Sequence, residues 1–160
     1  MKQIHILAIT AGLLLTGCNS LRSAINPDYK DTITPIFKLG VTGGGATPAS
    51  QAFMELGYQV IDLGNDSSKA LEASKAQFIP FLATAEPVGT EGSWWDGVFD
   101  FTMRVAETGE GVVVWSAIGE YKSSVLGINQ DGSTRKAFRD MVKDFSQYFP
   151  PAGTVPSGNN

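Results

Sequence analysis

The sequence predicts an α/β domain of two layers with a mixed sheet, its elements in the order β-α-β-α-β-β-β-α. Three observations carry this reading. Helix signals near residues 47–56 and 66–77 alternate with short β-branched and aromatic runs. Gly97 to Val105 alternates apolar and polar residues with period two and is followed by a turn and a second β-rich run. The last long segment carries an apolar stripe at helical spacing.

Taken in order, Thr32 to Leu39 is β-rich and reads as the first strand. "GVTGGGATPAS", Gly40 to Ser50, is a loop in which Thr47 can cap a helix with Pro48 at its first position. The helix continues to Leu56 and Gly57 ends it. Tyr58 to Leu63 is the second strand, and Asn65 or Asp66 caps a second helix through about Gln77. Ile79 to Ala85 is a third strand, closed by Pro87. In the alternating strand, Gly97, Phe99, Phe101, Met103 and Val105 share one face; Asp96, Val98, Asp100, Thr102 and Arg104 share the other. "ETGEG", Glu107 to Gly111, is a turn, and Val112 to Tyr121 returns antiparallel. In the final helix Ala137, Phe138, Met141, Val142, Phe145 and Phe149 form a core-facing stripe. Arg135, Lys136, Arg139, Asp140, Lys143 and Asp144 hold its wet side.

The N-terminus has a different character. Ile4 to Leu15 is apolar and follows Lys2. A helix of that length spans ~18 Å, short of the ~30 Å hydrocarbon core, so it reads as a secretory signal and not as a membrane span. Thr16 and Gly17 supply small residues for cleavage, and Cys18, the only cysteine, follows. Leu15-Thr16-Gly17-Cys18 resembles the lipobox of bacterial lipoprotein precursors. The resemblance implies removal of residues 1–17 and lipidation of Cys18, with diacylglycerol on the thiol and palmitate as an expected label. Asn19 stands where an Asp would favour inner-membrane retention, which implies the periplasmic face of the outer membrane. Residues 18–31 then read as a lipidated tether; Asn19 to Asp31 reaches at most ~43 Å. Residues 32–149 form the domain, and the Pro- and Gly-bearing segment 150–160 reads as disordered.

Composition excludes much chemistry. The only histidine, His5, leaves with the signal, and Cys18 is consumed by lipid. Without imidazole or a free thiol, Ser-His-Asp and Cys-His catalysis, zinc-thiolate sites and intrachain disulfides are out of reach. No cofactor and no metal is expected. The formal charge is −4, one more negative once Lys2 is lost, so the chain lacks the basic footprint of a nucleic-acid binder.

Three stretches bear on a site. "GVTGGGATPAS" places glycines before a helix, but no Gly-Lys-Ser/Thr follows; it reads as a loop and not as a phosphate cradle. "EGSWWDG", Glu91 to Gly97, holds adjacent tryptophans. Alternation turns Trp95 inward with Phe99 and Phe101 and leaves Trp94 outward with Asp96 and Asp100, where it could stack on a sugar or anchor a protein partner. Burial of Trp94 under the third helix or the preceding loop is the alternative. Asp96 and Asp100 stand ~14 Å apart along a strand, beyond the ~5–9.5 Å between glycosidase carboxyl groups. They read as solvated charges beside Arg104; Glu91 with Asp96 stays open as a pair.

"ELGYQVIDLG" (Glu55 to Gly64), "FDFTMRVAETGEGVVVWSA" (Phe99 to Ala117) and the closing amphipathic helix resemble the small α/β domain of curli-secretion lipoproteins. They are similar also to lipoprotein activators of penicillin-binding proteins and to the N-terminal domain of the Tol β-propeller protein. The likeness is closer still to short lipoproteins sharing "GSWWDG", which implies no function. Two functions follow as expectations. One is a non-catalytic, lipid-anchored binding or adaptor module of the envelope, with a membrane contact through its lipid and an envelope protein or glycan as partner. The other is a carboxylate-based hydrolase of envelope glycans with Trp94 as sugar platform.

Overall fold

The computed structural model describes residues 20–91, 98–122 and 130–153. They form one mixed sheet of six strands with three α-helices: β1 (Ser20–Ile25), β2 (Lys38–Thr42), α1 (Ala46–Glu55), β3 (Gln59–Asp62), α2 (Ser67–Ala76), β4 (Phe81–Glu91), β5 (Val98–Glu107), β6 (Val113–Lys122) and α3 (Gln130–Phe145). The expected order β-α-β-α-β-β-β-α runs from β2 to α3, and one strand is added before it. Across the sheet the order is β1-β6-β5-β4-β2-β3. β2 is parallel to β3 and β4, while β4, β5, β6 and β1 are successively antiparallel.

The core lies between the sheet and the pair α1/α3. Leu39 and Val41 of β2, Phe53 of α1, Phe101, Met103 and Val105 of β5, and Trp115 of β6 are buried there. The α3 stripe, Ala137, Phe138, Met141, Val142 and Phe145, is buried in full; Phe149, expected in the same helix, lies beyond its end at Phe145 and is buried too. Its aromatics lock by edge contacts: Phe138 on Phe101 at 5.5 Å and Phe145 on Trp115 at 5.4 Å between ring centroids. Buried polar heads find partners on the helix's wet side. Trp115 Nε1–H donates to Asp144 at 3.1 Å, and the Tyr121 hydroxyl donates to Asp140 at 3.2 Å. Burial, then the Asp140 charge, pushes the Tyr121 hydroxyl well above its ordinary value. The helix α2 packs on the opposite face: Gly40, which alternates with Leu39 and Val41, turns toward Ser74 and Leu82.

Local chemistry sets the element ends. Asp66 caps α2, its carboxylate accepting from the Ser68 and Lys69 N–H groups at 3.2 Å. Its pKa is lowered, first by the Ser68 hydroxyl and then by the Lys69 N–H. Gly57, at φ +94°, turns the chain out of α1, a conformation that favours glycine. The helix α1 begins one residue before Thr47, with Gly45 as its uncapped N-cap. Thr47 and Pro48 therefore sit inside the first turn, where a missing N–H costs nothing.

Several boundaries differ from the sequence reading. Ser20–Ile25, expected within the tether 18–31, is β1 and pairs along its length with β6. Thr32 to Phe37 is not a sheet strand; the strand starts at Lys38, and only Ile36 makes an isolated bridge, to Pro151. That bridge also ties down the start of the segment 150–160, whose residues 154–160 lie outside the described residues. Ile36 N–H donates to Pro150 O at 2.8 Å, Ala152 N–H donates to Ile36 O at 3.0 Å, and Pro151 is buried. The strand β4 does not close at Pro87 but runs through it, with a register shift between Pro87 and Gly89. A bulge is where a strand tolerates a residue without an N–H.

Candidate functional site

The glycine run links β2 to α1 at the carboxyl end of β2. Gly43, at φ +106°, lies so close to the middle of β4 that a methyl group there would meet Ala85 O at 2.3 Å. Gly45 N–H donates to Ala85 O at 2.9 Å, and Gly44 N–H donates to a Glu86 carboxylate oxygen at 2.9 Å. A carboxylate thus already occupies a donor that a phosphate would need, and its charge would repel one. The glycines serve close packing of the loop against β4 and α3.

Beside this loop lies a cleft of about 470 Å³. Pro48 from α1, Pro87 and Val88 from β4, Phe99 and Phe101 from β5, and Phe138 from α3 supply its apolar wall. Asp100, Thr134 and the backbone of Gly44, Gly45 and Gly89 supply its polar groups. The bulge in β4 places Val88 and Gly89 at the rim, and Val88 is 57% exposed. Asp100 is the one carboxylate among the described lining residues. Such a surface can hold an apolar or aromatic group and orient it with one anionic acceptor.

Of the residues singled out from the sequence, Asp100 lies at this cleft, half-buried. Cys18, Trp94 and Asp96 lie outside the described residues, as does Trp95. The alternation of β5 holds where it is described: Phe101, Met103 and Val105 are buried, and Arg104 is exposed.

Sequence reasoning missed Glu120, which stands opposite Asp100 across the β5–β6 ladder. Counting outward from the turn would pair Asp100 with Gly119. The register instead slips by one between Val105 and Ala106, where Val114 is extra and is buried together with Trp115. Glu120 is exposed and is not part of the cleft wall. The cleft therefore does not set these two carboxylates on either side of one scissile bond. Among the described residues no group of three or more His, Cys, Asp or Glu is arranged to hold a metal. No described helix is long and apolar enough to cross a membrane.

The fold defines the class: a single mixed sheet with a parallel β-α-β-α-β half, an antiparallel hairpin and a closing helix. No family model and no curated protein matches the sequence. Solved structures do match. A PelC dodecamer from Paraburkholderia phytofirmans, in a methionine-substituted form, superposes with a TM-score of 0.59 at 14% identity, covering 78% of this chain and 96% of that one. PelC from the same organism in a second crystal form gives 0.55 at 17% identity, covering 76% and 96%. A lipoprotein from Neisseria meningitidis gives 0.47 at 14% identity, covering 71% and 99%. At these identities the likeness to PelC is one of fold.

Proposed function

We propose that this chain is a lipid-anchored, non-catalytic binding or adaptor module of the cell envelope. Cys18 holds it at the periplasmic face of the outer membrane, and Trp94, Asp96 and Asp100 belong to its recognition surface. The observation that carries the reading is the cleft, lined by three phenylalanines, two prolines and Val88 together with one described carboxylate, Asp100. Glycoside hydrolysis needs two carboxyl groups flanking one bond, whereas an apolar wall with a single acceptor suits recognition. The lipobox-like Leu15-Thr16-Gly17-Cys18 supports the anchor. The small α/β lipoprotein domains that the sequence resembles are in keeping with an envelope role.

The test is crosslinking and affinity capture of the full-length lipidated protein from intact envelopes. Wild type should recover a discrete envelope protein or glycan, and Phe99→Ala or Asp100→Asn should weaken that capture. Cys18→Ser should abolish palmitate labelling and membrane fractionation. Hydrolysis of envelope glycan by the purified protein, lost in Asp100→Asn, would replace this reading with the hydrolase.

Self-association is a second reading, favoured by the dodecameric state of the PelC chains that share the fold. Among the described residues the sheet also ends in two edge strands, β1 and β3, and an edge is a template for pairing with another chain. Light scattering of residues 19–160 distinguishes a monomer from a closed assembly.

A further inference from the structure

If Cys18 carries lipid, the geometry of β1 decides which end of the domain meets the membrane. β1 is tied along its whole length, from Ser20 opposite Glu120 to Ile25 opposite Trp115. Leu21 and Ile25 pack against the core. Beyond the strand, Asn26 donates its backbone N–H to Val114 O at 2.8 Å and its side-chain amide to Val113 O at 3.2 Å. Tyr29 then hydrogen-bonds Glu107. The sheet therefore begins two residues after Cys18, within what composition alone reads as a thirteen-residue polar tether. From Cys18 to Ser20 the backbone can span only ~7 Å.

Ser20 stands at a particular end of the sheet. One transverse row of the ladder runs Ser20, Glu120, Asp100, Gly89 across four neighbouring strands. At ~4.8 Å between strands, Asp100 lies ~10 Å and Gly89 ~14 Å from Ser20. Both line the cleft. The anchored cysteine is thus held within roughly 17 Å of Asp100. The opposite end of β4 lies farther away by the strand's own length, ~26 Å from Gly89 to Phe81. Phe78, 92% exposed, precedes that far end.

We infer that β1 docks the anchored domain with its cleft end against the lipid surface, so that the cleft opens at the bilayer interface. The inference rests on the lipid-anchor reading above. A tether of ~43 Å would let the domain tumble and present any face; a two-residue link does not. The occupant of this end is the bilayer that holds the lipid, and the exposed apolar Val88 at the cleft rim faces it. Whatever the cleft recognises is reached at or within the headgroup layer.

The test uses the full-length lipidated protein in phosphatidylethanolamine and phosphatidylcholine vesicles that carry a headgroup-attached nitroxide quencher. A thiol-reactive fluorophore is placed at Val88→Cys or at Phe78→Cys, with flotation and melting measured on each. The Val88 label should be quenched several-fold more than the Phe78 label. A flexible Gly/Ser insertion of about twelve residues between Asn19 and Ser20 adds a root-mean-square reach of roughly 19 Å and should erase the difference. Equal quenching without the insertion, in protein that floats with the vesicles, overturns the orientation and leaves the anchor standing. Protein that fails to float overturns the anchor and the orientation together.

Discussion

The contact between Gly45 and Phe138 joins the glycine run, the cleft and the α3 stripe, and it can be tested quantitatively. Gly45 sits at φ −100°, a conformation that alanine adopts without strain. The obstacle is space. A methyl group there would come within 2.5 Å of Phe138 Cζ, 2.8 Å of Phe138 Cε2 and 3.2 Å of Ala85 O. Phe138 is fully buried and held edge-on against Phe101, so its ring cannot swing away freely. Gly45→Ala should therefore cost ~1–3 kcal/mol from overpacking, with a smaller contribution from loss of a good N-cap residue. For a domain of this size that is a melting shift of about 2–4 °C per kcal/mol. Phe138→Ala alone should cost ~3–5 kcal/mol, because it empties a packed site. In the Phe138→Ala background the added methyl meets no ring, and Gly45→Ala should retain only its cap effect. The double-mutant cycle, measured by urea unfolding of residues 19–160, should show a coupling of at least ~1 kcal/mol. Should Phe138→Ala fail to fold, Phe138→Leu also lacks Cζ and Cε2 and serves the same cycle. Strict additivity of the two substitutions would refute the reasoning, since it would mean that the glycine is not there to admit the ring.

Two further outcomes follow from other parts of the molecule. Hydrogen bonding to Glu107, followed by desolvation, pushes the Tyr29 hydroxyl up to about 12 from an ordinary 10.0. A raised folded-state pKa contributes stability that is complete below pH 10 and is lost as pH rises toward 12. Tyr29→Phe should therefore flatten the alkaline limb of a stability-versus-pH curve relative to wild type; an unchanged limb would show that the hydroxyl is free. At the paired tryptophans, Trp95→Ala should lower stability by several kcal/mol, as large-to-small core changes do. Trp94→Ala should spare the melting temperature and weaken envelope capture by ~2 kcal/mol or more if it is a hot spot. Equal unfolding by both would assign both rings to packing.

Residue types and short periods determined a good deal from the sequence alone. The one histidine, His5, and the one cysteine, Cys18, both lie near the N-terminus, so residues 19–160 carry neither imidazole nor thiol, and no fold can restore them. The α3 stripe and the β5 alternation were legible because helical and strand geometry put residues at spacings of three to four, or of two, on one face. Those faces are buried as expected at Phe138, Met141, Phe101 and Met103. The polar segment Ser20–Ile25 gave no such signal. It is an edge strand whose burial alternates poorly, with only Leu21 and Ile25 turned toward the core, and its partner β6 begins 88 residues after Ile25. Local composition cannot specify a ladder that depends on so distant a strand. The same limit hid the clamp of Ile36 on Pro150 and Ala152. It hid Glu120 too, because the single extra residue at Val114 shifts every later cross-strand pair by one. The cleft belongs to this second group. Its wall draws on β4, β5, α1, α3 and the glycine run, and only their packing, set by long-range pairing and by the space left at Gly43 and Gly45, brings Asp100 beside Phe99, Phe138 and Val88.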